Sequence, residues 1–112
     1  MSERARVALT AIVEACDKIE RFVETVRDAD DSHQDQTTFD ALSMNFLVIG
    51  ASGVRLSDQI KASEGSVPWT RIKGFRNIVA HNYFGVDAEE VWHIIMTSLP
   101  GLKASVDNLL YS

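Results

Sequence analysis

Apolar residues recur in steps of three and four along most of the chain. From Glu3 to about Arg27 they fall at Leu9, Ile12, Val13, Cys16, Ile19, Phe22, Val23 and Val26. That spacing predicts one helix with one buried stripe. The acid-rich stretch DADDSHQDQTT breaks the pattern and reads as a loop or a frayed helix start. A second helix is predicted from about Thr37 to Ala62. Phe39, Leu42, Phe46, Ile49, Gly53, Leu56 and Ile60 keep the three-four alternation of a packing seam. A second stripe runs beside it, through Ala41, Met44, Leu47, Val48, Ala51 and Val54. One seam can face the chain's own core. The other is left exposed, and a large exposed apolar patch marks a partner surface. Ser43, Gly50, Ala51, Ser52 and Gly53 are small enough to let another helix approach. The expectation is self-association through this helix, most simply two-fold.

The stretch KASEGSVPWT is a connection, with Pro68 placed to open a third helix that runs to about His81. Pro68, Ile72, Phe75 and Val79 form its buried face. In GVDAEE, Asp87 can cap a fourth helix, and Glu90 stands three residues on, as in a capping box. Val91, Trp92, Ile94, Ile95 and Leu99 give that helix its core side, and Pro100 stops or bends it. A last helix carries Leu102, Val106, Leu109 and Leu110. No segment alternates as a strand does, and no repeat is present. The fold class is all-α: an antiparallel bundle of four or five helices, with residues 1–112 as a single domain.

No apolar run approaches the roughly 18 residues of a membrane helix. The first twenty residues lack the uninterrupted apolar core of a signal peptide. Cys16 falls among core positions and reads as a small hydrophobe rather than a reactive thiol. These features predict a reducing, cytoplasmic setting without membrane contact. The formal net charge of −5 disfavours a broad nucleic-acid-binding face. The charge is uneven, however. No acidic residue lies between Glu64 and Asp87, a window that holds Arg71, Lys73, Arg76 and His81. The rest of the chain carries all 16 acids and 8 of the 11 lysines and arginines. A local basic island on an acidic body suits capture of a phosphate group better than coverage of a long duplex.

Within that island, GFRNIVAHNYFGVD sets Arg76, His81 and Tyr83 close together in sequence. A helix turns about 100° per residue, so Arg76 lies about 40° from Ile72 and His81 about 180° from it. On a straight helix the two do not converge. Either the helix unwinds near His81, or a two-fold axis brings a second chain's set alongside. Cleavage of RNA without a metal needs a base for the 2′-hydroxyl proton, an acid for the leaving oxygen and a cation for the phosphorane. Histidine suits the proton transfers and arginine the charge. One histidine per chain is one transfer group short, and a dimer supplies two. The residues alone equally allow a helix C-cap and a surface histidine.

Other candidates have plainer readings. Tyr83 and Phe84 read as core or interface aromatics, Trp69 and Trp92 as core, and His33 as solvated. Glu90 and His93 have the Glu-x-x-His spacing of di-metal bundles, but such a site needs two copies of the motif and two further carboxylates. No metal site is expected. No Gly-rich phosphate loop and no zinc-spaced Cys/His set occurs.

The segment VPWTRIKGFRNIVAHNYFGVDAEEVWHIIMTSLPGL closely resembles the core of HepT-like proteins, part of the HEPN group of small helical domains. Their Arg-x-x-x-x-His-x-Tyr pattern stands here as Arg76, His81 and Tyr83, with Asn77 after the arginine. Pro68–Trp69 upstream and Val86, Asp87, Val91, Trp92, Leu99 and Pro100 downstream also match. NFLVIG and RLS resemble the family's second helix. The likeness covers nearly the whole chain, more loosely before Phe39. It implies a homodimeric bundle of HEPN type, joined through the second helix and the motif region. Arg76 and His81 would line a cleft at the dimer interface, supported by Asn77 and Lys73. It implies the toxin of a toxin–antitoxin pair, a metal-independent ribonuclease that needs no cofactor of its own. The implied antitoxin is a nucleotidyltransferase that uses ATP and Mg²⁺ to attach AMP to Tyr83. The added bulk and negative charge would block RNA and occupy Arg76. Two departures stand out. Ala51 follows Gly50 where the family commonly has glutamate, and Met44 stands where some relatives have arginine. They leave a second reading open, a non-cleaving HEPN module that binds a nucleotide or a nucleotidyltransferase partner.

Overall fold

The computed structural model describes residues 1–25, 28, 36–81 and 85–111. Among these residues the chain is all-helical. In order, the helices are α1 (Glu3–Val23), α2 (Gln36–Val54), α3 (Asp58–Ser63), α4 (Trp69–His81), α5 (Ala88–Thr97) and α6 (Leu99–Tyr111). Helix α2 packs against α1 on one side and α4 on the other, α6 packs on α1, and α5 on α6. The core is the set of positions that the periodicity picks out. Leu9, Ile12, Cys16 and Ile19 of α1 meet Phe39, Leu42, Phe46 and Ile49 of α2. Phe75 and Val79 of α4, Val91 and Ile95 of α5, and Leu99, Leu102 and Val106 of α6 complete it. Phe46 and Phe75 meet edge-to-face at a centroid separation of 5.2 Å. This contact fixes α4 on α2, and such a pair is worth about 0.5–1.5 kcal/mol beyond its buried area.

Short polar side chains set the helix starts. Ser2 accepts from the Ala5 amide at 3.1 Å to open α1. Asp87 accepts from the Glu89 amide at 2.9 Å to open α5, as its position before the apolar run predicts. The long second helix expected from Thr37 to Ala62 is in fact two. The amides of Arg55 and Leu56 bond three residues back, to the carbonyls of Ser52 and Gly53, which tightens and ends α2. Ser57 then turns extended and its hydroxyl caps α3, accepting from the Ile60 amide at 3.2 Å. The apolar alternation runs through this break because both helices pack on the same core. Helix α5 ends at Thr97, three residues before Pro100, as expected. The Ser98 carbonyl accepts from the Leu102 amide, so Pro100 sits in the first turn of α6, where its missing N–H costs nothing. Helix α1, expected to reach about Arg27, ends at Val23; Glu24 and Thr25 form a turn, and Val26 and Arg27 lie outside the described residues.

The two stripes of α2 separate as their spacing predicts. Phe39, Leu42, Phe46 and Ile49 are buried. Met44 and Val54 are 59% and 48% exposed, Ala51 is exposed, and Ala41, Leu47 and Val48 are half-buried. Among the small residues, the two glycines behave differently from the expectation. Gly50 and Gly53 are covered by side chains of the chain's own α4, Arg76 and Trp69. Their missing β-carbons serve an internal helix contact. Trp69 and Trp92 are half-buried rather than core. No described helix is long and apolar enough to cross a membrane.

Candidate active site

Helix α4 carries the candidate residues, and its geometry sorts them into two groups. Lys73, Asn77 and His81 stand at successive four-residue steps, which places them along one ridge. All three are exposed. Arg76 lies to one side of that ridge, on the seam with α2. The helix is continuous through His81, so the unwinding that could have turned His81 toward Arg76 does not occur before it. The two stand five positions apart, and their directions differ by about 140°. Within one chain the structure does not bring Arg76 and His81 onto one small group. It does bring His81 together with Asn77 and Lys73. Tyr83 lies outside the described residues, as do Asn82, Phe84 and His33.

Arg76 is held by an unusual fit. A β-carbon built on Gly50 would collide with Cβ and Cγ of Arg76, so the stem of the arginine lies directly on the α2 backbone. Its Nε is closed off from solvent and has no hydrogen-bond partner among the described residues. The residue as a whole is only half-buried. With the stem pinned against α2, the terminal guanidinium nitrogens are the part that can reach an anion. Ser43, two turns before Gly50 on α2, likewise has a buried hydroxyl without a partner among the described residues. An unpaired buried polar atom costs on the order of 1–3 kcal/mol. The α2–α4 seam therefore carries a polar cost in the same stretch that positions the candidate arginine.

The electrostatics of α4 follow from the sequence window without acids. Among the described residues no carboxylate pairs with Lys73, Arg76 or His81. Lys103 on α6, by contrast, is spoken for, at 2.7 Å from Asp17 and 3.3 Å from Glu20 of α1. Helix α4 thus carries Arg71, Lys73 and Arg76 with no acidic residue of its own. Cys16 plays no part. Burial, aided by Glu20 and Asp17, pushes its thiol up to about 12. Glu90 and His93 are both exposed on α5, and among the described residues no group of three or more His, Cys, Asp or Glu is placed to hold a metal ion.

The role of Gly50 escaped the sequence reading, which assigned it to an external helix. The sequence shows only that Gly50 continues the four-residue row from Phe46; that Phe46 packs on Phe75, the neighbour of Arg76, is a relation between helices. Met44 and Ala51, where the resemblance expects polar groups, both lie on the exposed stripe of α2.

The family model described as ribonuclease HepT-like matches residues 12–109. A protein of Thermococcus cleftensis named probable ribonuclease HepT is 28% identical over 101 residues, covering 90% of this chain and 91% of the relative. A Methanocaldococcus jannaschii protein provisionally named as an RNase is 32% identical over 60 residues, 54% of this chain and 55% of the relative. A similarly named protein of Caldanaerobacter subterraneus subsp. tengcongensis is 32% identical over 63 residues, 56% of each chain. The chain thus spans little more than half the length of these last two relatives. No solved structure matches it.

Proposed function

The chain belongs to the HepT-like ribonuclease family, and from that premise we propose that it is a metal-independent endoribonuclease acting as a homodimer. The observation that carries this reading is the pairing on α4 of an exposed Lys73–Asn77–His81 ridge with an arginine pinned beside it by Gly50. A ridge of hydrogen-bonding and titratable groups next to a fixed cation is what phosphodiester chemistry needs.

His81 of one subunit takes the proton from a ribose 2′-hydroxyl. The 2′-oxygen then bonds to phosphorus and the bond from phosphorus to the 5′-oxygen breaks. The second copy of His81 gives its proton to the departing 5′-oxygen. The products are a 2′,3′-cyclic phosphate and a 5′-hydroxyl end, so atoms and protons balance. Arg76 stabilises the charge that builds on the phosphorane oxygens, and such a preorganised donor is worth about 3–4 kcal/mol. Asn77 and Lys73 hold the strand. The exposed stripe of α2, through Met44, Ala51 and Val54, is the surface on which the second copy docks. That arrangement answers the divergence of Arg76 and His81 within one chain.

In this reading residues 1–112 act as one HEPN domain and as the toxin of a toxin–antitoxin pair in the cytoplasm. Its antitoxin is a nucleotidyltransferase that uses ATP and Mg²⁺ to place AMP on Tyr83, adding negative charge beside the site. The divergence also favours a second reading, a non-cleaving module that binds a nucleotide or that partner. An RNA-cleavage assay in EDTA separates the two. The native dimer should cut RNA, while folded Arg76→Ala and His81→Ala dimers should lose at least a hundred-fold of the rate on the order-of-magnitude effect of such groups. Intact RNA with native protein, its Tyr83 shown unmodified by mass, would leave only the module.

A further inference from the structure

Next to the α4 ridge lies an open hollow of about 450 Å³ between the end of α2, helix α3 and the start of α4. Its walls include Gly50 and Gly53 of α2, Asp58 and Lys61 of α3, and Trp69, Thr70 and Lys73 of α4. Two of these residues also belong to the site already described. Gly50 is the residue on which the Arg76 stem lies, and Lys73 is the first member of the exposed ridge. The hollow is therefore continuous with the candidate site.

Its construction is more specific than a surface dent. The indole of Trp69 is fixed at both ends. Its Nε1 donates to the carbonyls of Lys61 at 3.2 Å and Glu64 at 3.3 Å. Its six-membered ring rests over Gly53, where an added β-carbon would sit 3.9 Å from Cε3 and 4.0 Å from Cζ3. The ring is thus a rigid, half-buried wall held in place by α3. Lys61 and Lys73 lie on that hollow with the hydroxyl of Thr70, and Asp58 is the one acid in the set. The volume lies in the range of pockets that take a small-molecule-sized group.

We propose that this hollow is a nucleotide subsite for single-stranded RNA, flanking the scissile phosphate at Arg76; the inference rests on the ribonuclease reading above. Aromatic walls beside a cationic track are the physical means by which single strands are held, since every base has a π-face and every linkage a charge. Trp69 takes the base. Lys61 and Lys73 take the phosphates that lead to Arg76. Asp58 repels phosphate from its own rim and so sets which side of the hollow the backbone follows. Trp69 and Lys61 become strand-positioning residues outside the Arg–His–Tyr pattern.

The test is RNA binding and cleavage in EDTA over a series of salt concentrations. It uses the full-length native dimer, Lys61→Ala, Trp69→Leu, and Lys18→Ala on α1 as a charge control. Each single-strand phosphate contact contributes about 0.7 to the slope of log affinity against log salt. Lys61→Ala should lower that slope by about 0.7 and raise KM several-fold with kcat retained, while Lys18→Ala leaves both at the native values. Trp69→Leu should weaken binding about ten-fold, in the range found for stacking aromatics. Lys61 is a partly exposed side chain, so its variant remains informative if Trp69→Leu fails to fold. A native slope and KM in Lys61→Ala would overturn the subsite while leaving the ribonuclease reading intact. Binding is read without cleavage, so a native protein that cuts no RNA refutes the ribonuclease reading, and the slope still decides the hollow. Binding of free AMP that Lys61→Ala weakens, with RNA binding unaltered, would also overturn the assignment to RNA.

Discussion

Replacing Gly50 by alanine sets two opposite effects against each other. Alanine in the middle of a helix is ordinarily favoured over glycine by about 0.5–1 kcal/mol. Here the new β-carbon would collide with Cβ and Cγ of Arg76. The Cβ of Arg76 is fixed to its own backbone, so no rotamer change removes the clash. Helices α2 and α4 must part by roughly 1 Å before the carbons reach ordinary contact. That movement loosens the seam that Phe46 and Phe75 close one turn away. Overpacking of this kind costs about 1–3 kcal/mol. The expected balance is a destabilisation of about 1–2 kcal/mol, or a fall of about 4–8 °C in Tm for a chain of this size. Thermal unfolding followed by far-ultraviolet circular dichroism reads it directly. On the proposed ribonuclease reading, RNA cleavage should fall with it, because the Arg76 stem loses its floor. The same change in an Arg76→Gly background should instead raise Tm, since the opposing carbons are gone. If Gly50→Ala raises Tm in the native background, or lowers it equally in both, the close approach described here is wrong.

Other consequences are simpler to measure. Burial raises the Cys16 thiol from 9.0 to about 12. The folded state holds its proton more tightly, so this group's contribution to stability is complete below about pH 9 and declines between about 9 and 12. A thiol reagent at pH 8 should leave native Cys16 unmodified and label it fully in denaturant. Lys103 is raised above 10.5 by its hydrogen bonds to Asp17 and Glu20. Its contribution is therefore present below about pH 10.5 and lost as pH rises through the folded value. Lys103→Met should cost only about 0.2–1 kcal/mol at low salt, because the pair is partly exposed, and less at high salt. Ser57→Ala should cost about 1 kcal/mol in urea unfolding through loss of the α3 cap.

The helical class, the core and most helix limits were legible because they depend on periodicity, which the bundle preserves. Leu42, Ile49 and Val106 are fully or almost fully buried, as their spacing requires. The break at Ser57 was less visible, because Leu56 and Ile60 keep the apolar alternation across it. The local cue was Ser57 followed by Asp58, a cap signature that the periodic signal outweighed. At the site, the divergence of Arg76 and His81 could be worked out from residue angles alone. The partnership of Arg76 with Gly50 could not. It depends on the register of α2 against α4, a relation between segments that no single helix pattern encodes. The hollow at Trp69 was hidden for the same reason, since Lys61 and Trp69 meet only because the chain turns between α3 and α4.

The packing order has a kinetic meaning. Helix α2 is central, and α4 leans chiefly on it, whereas α1 has both α2 and α6 as neighbours. The bonds that hold the outer part of α4, beyond Phe75, therefore have few guardians besides the seam at Val79 and Arg76. In hydrogen exchange, the amides of Ile78 to His81 should open on a faster timescale than those around Ile12 in α1. The segment that bears the candidate site residues would then breathe while the scaffold stays closed. A modifying enzyme reaching toward this end of α4 would need only that local opening, not the unfolding of the bundle.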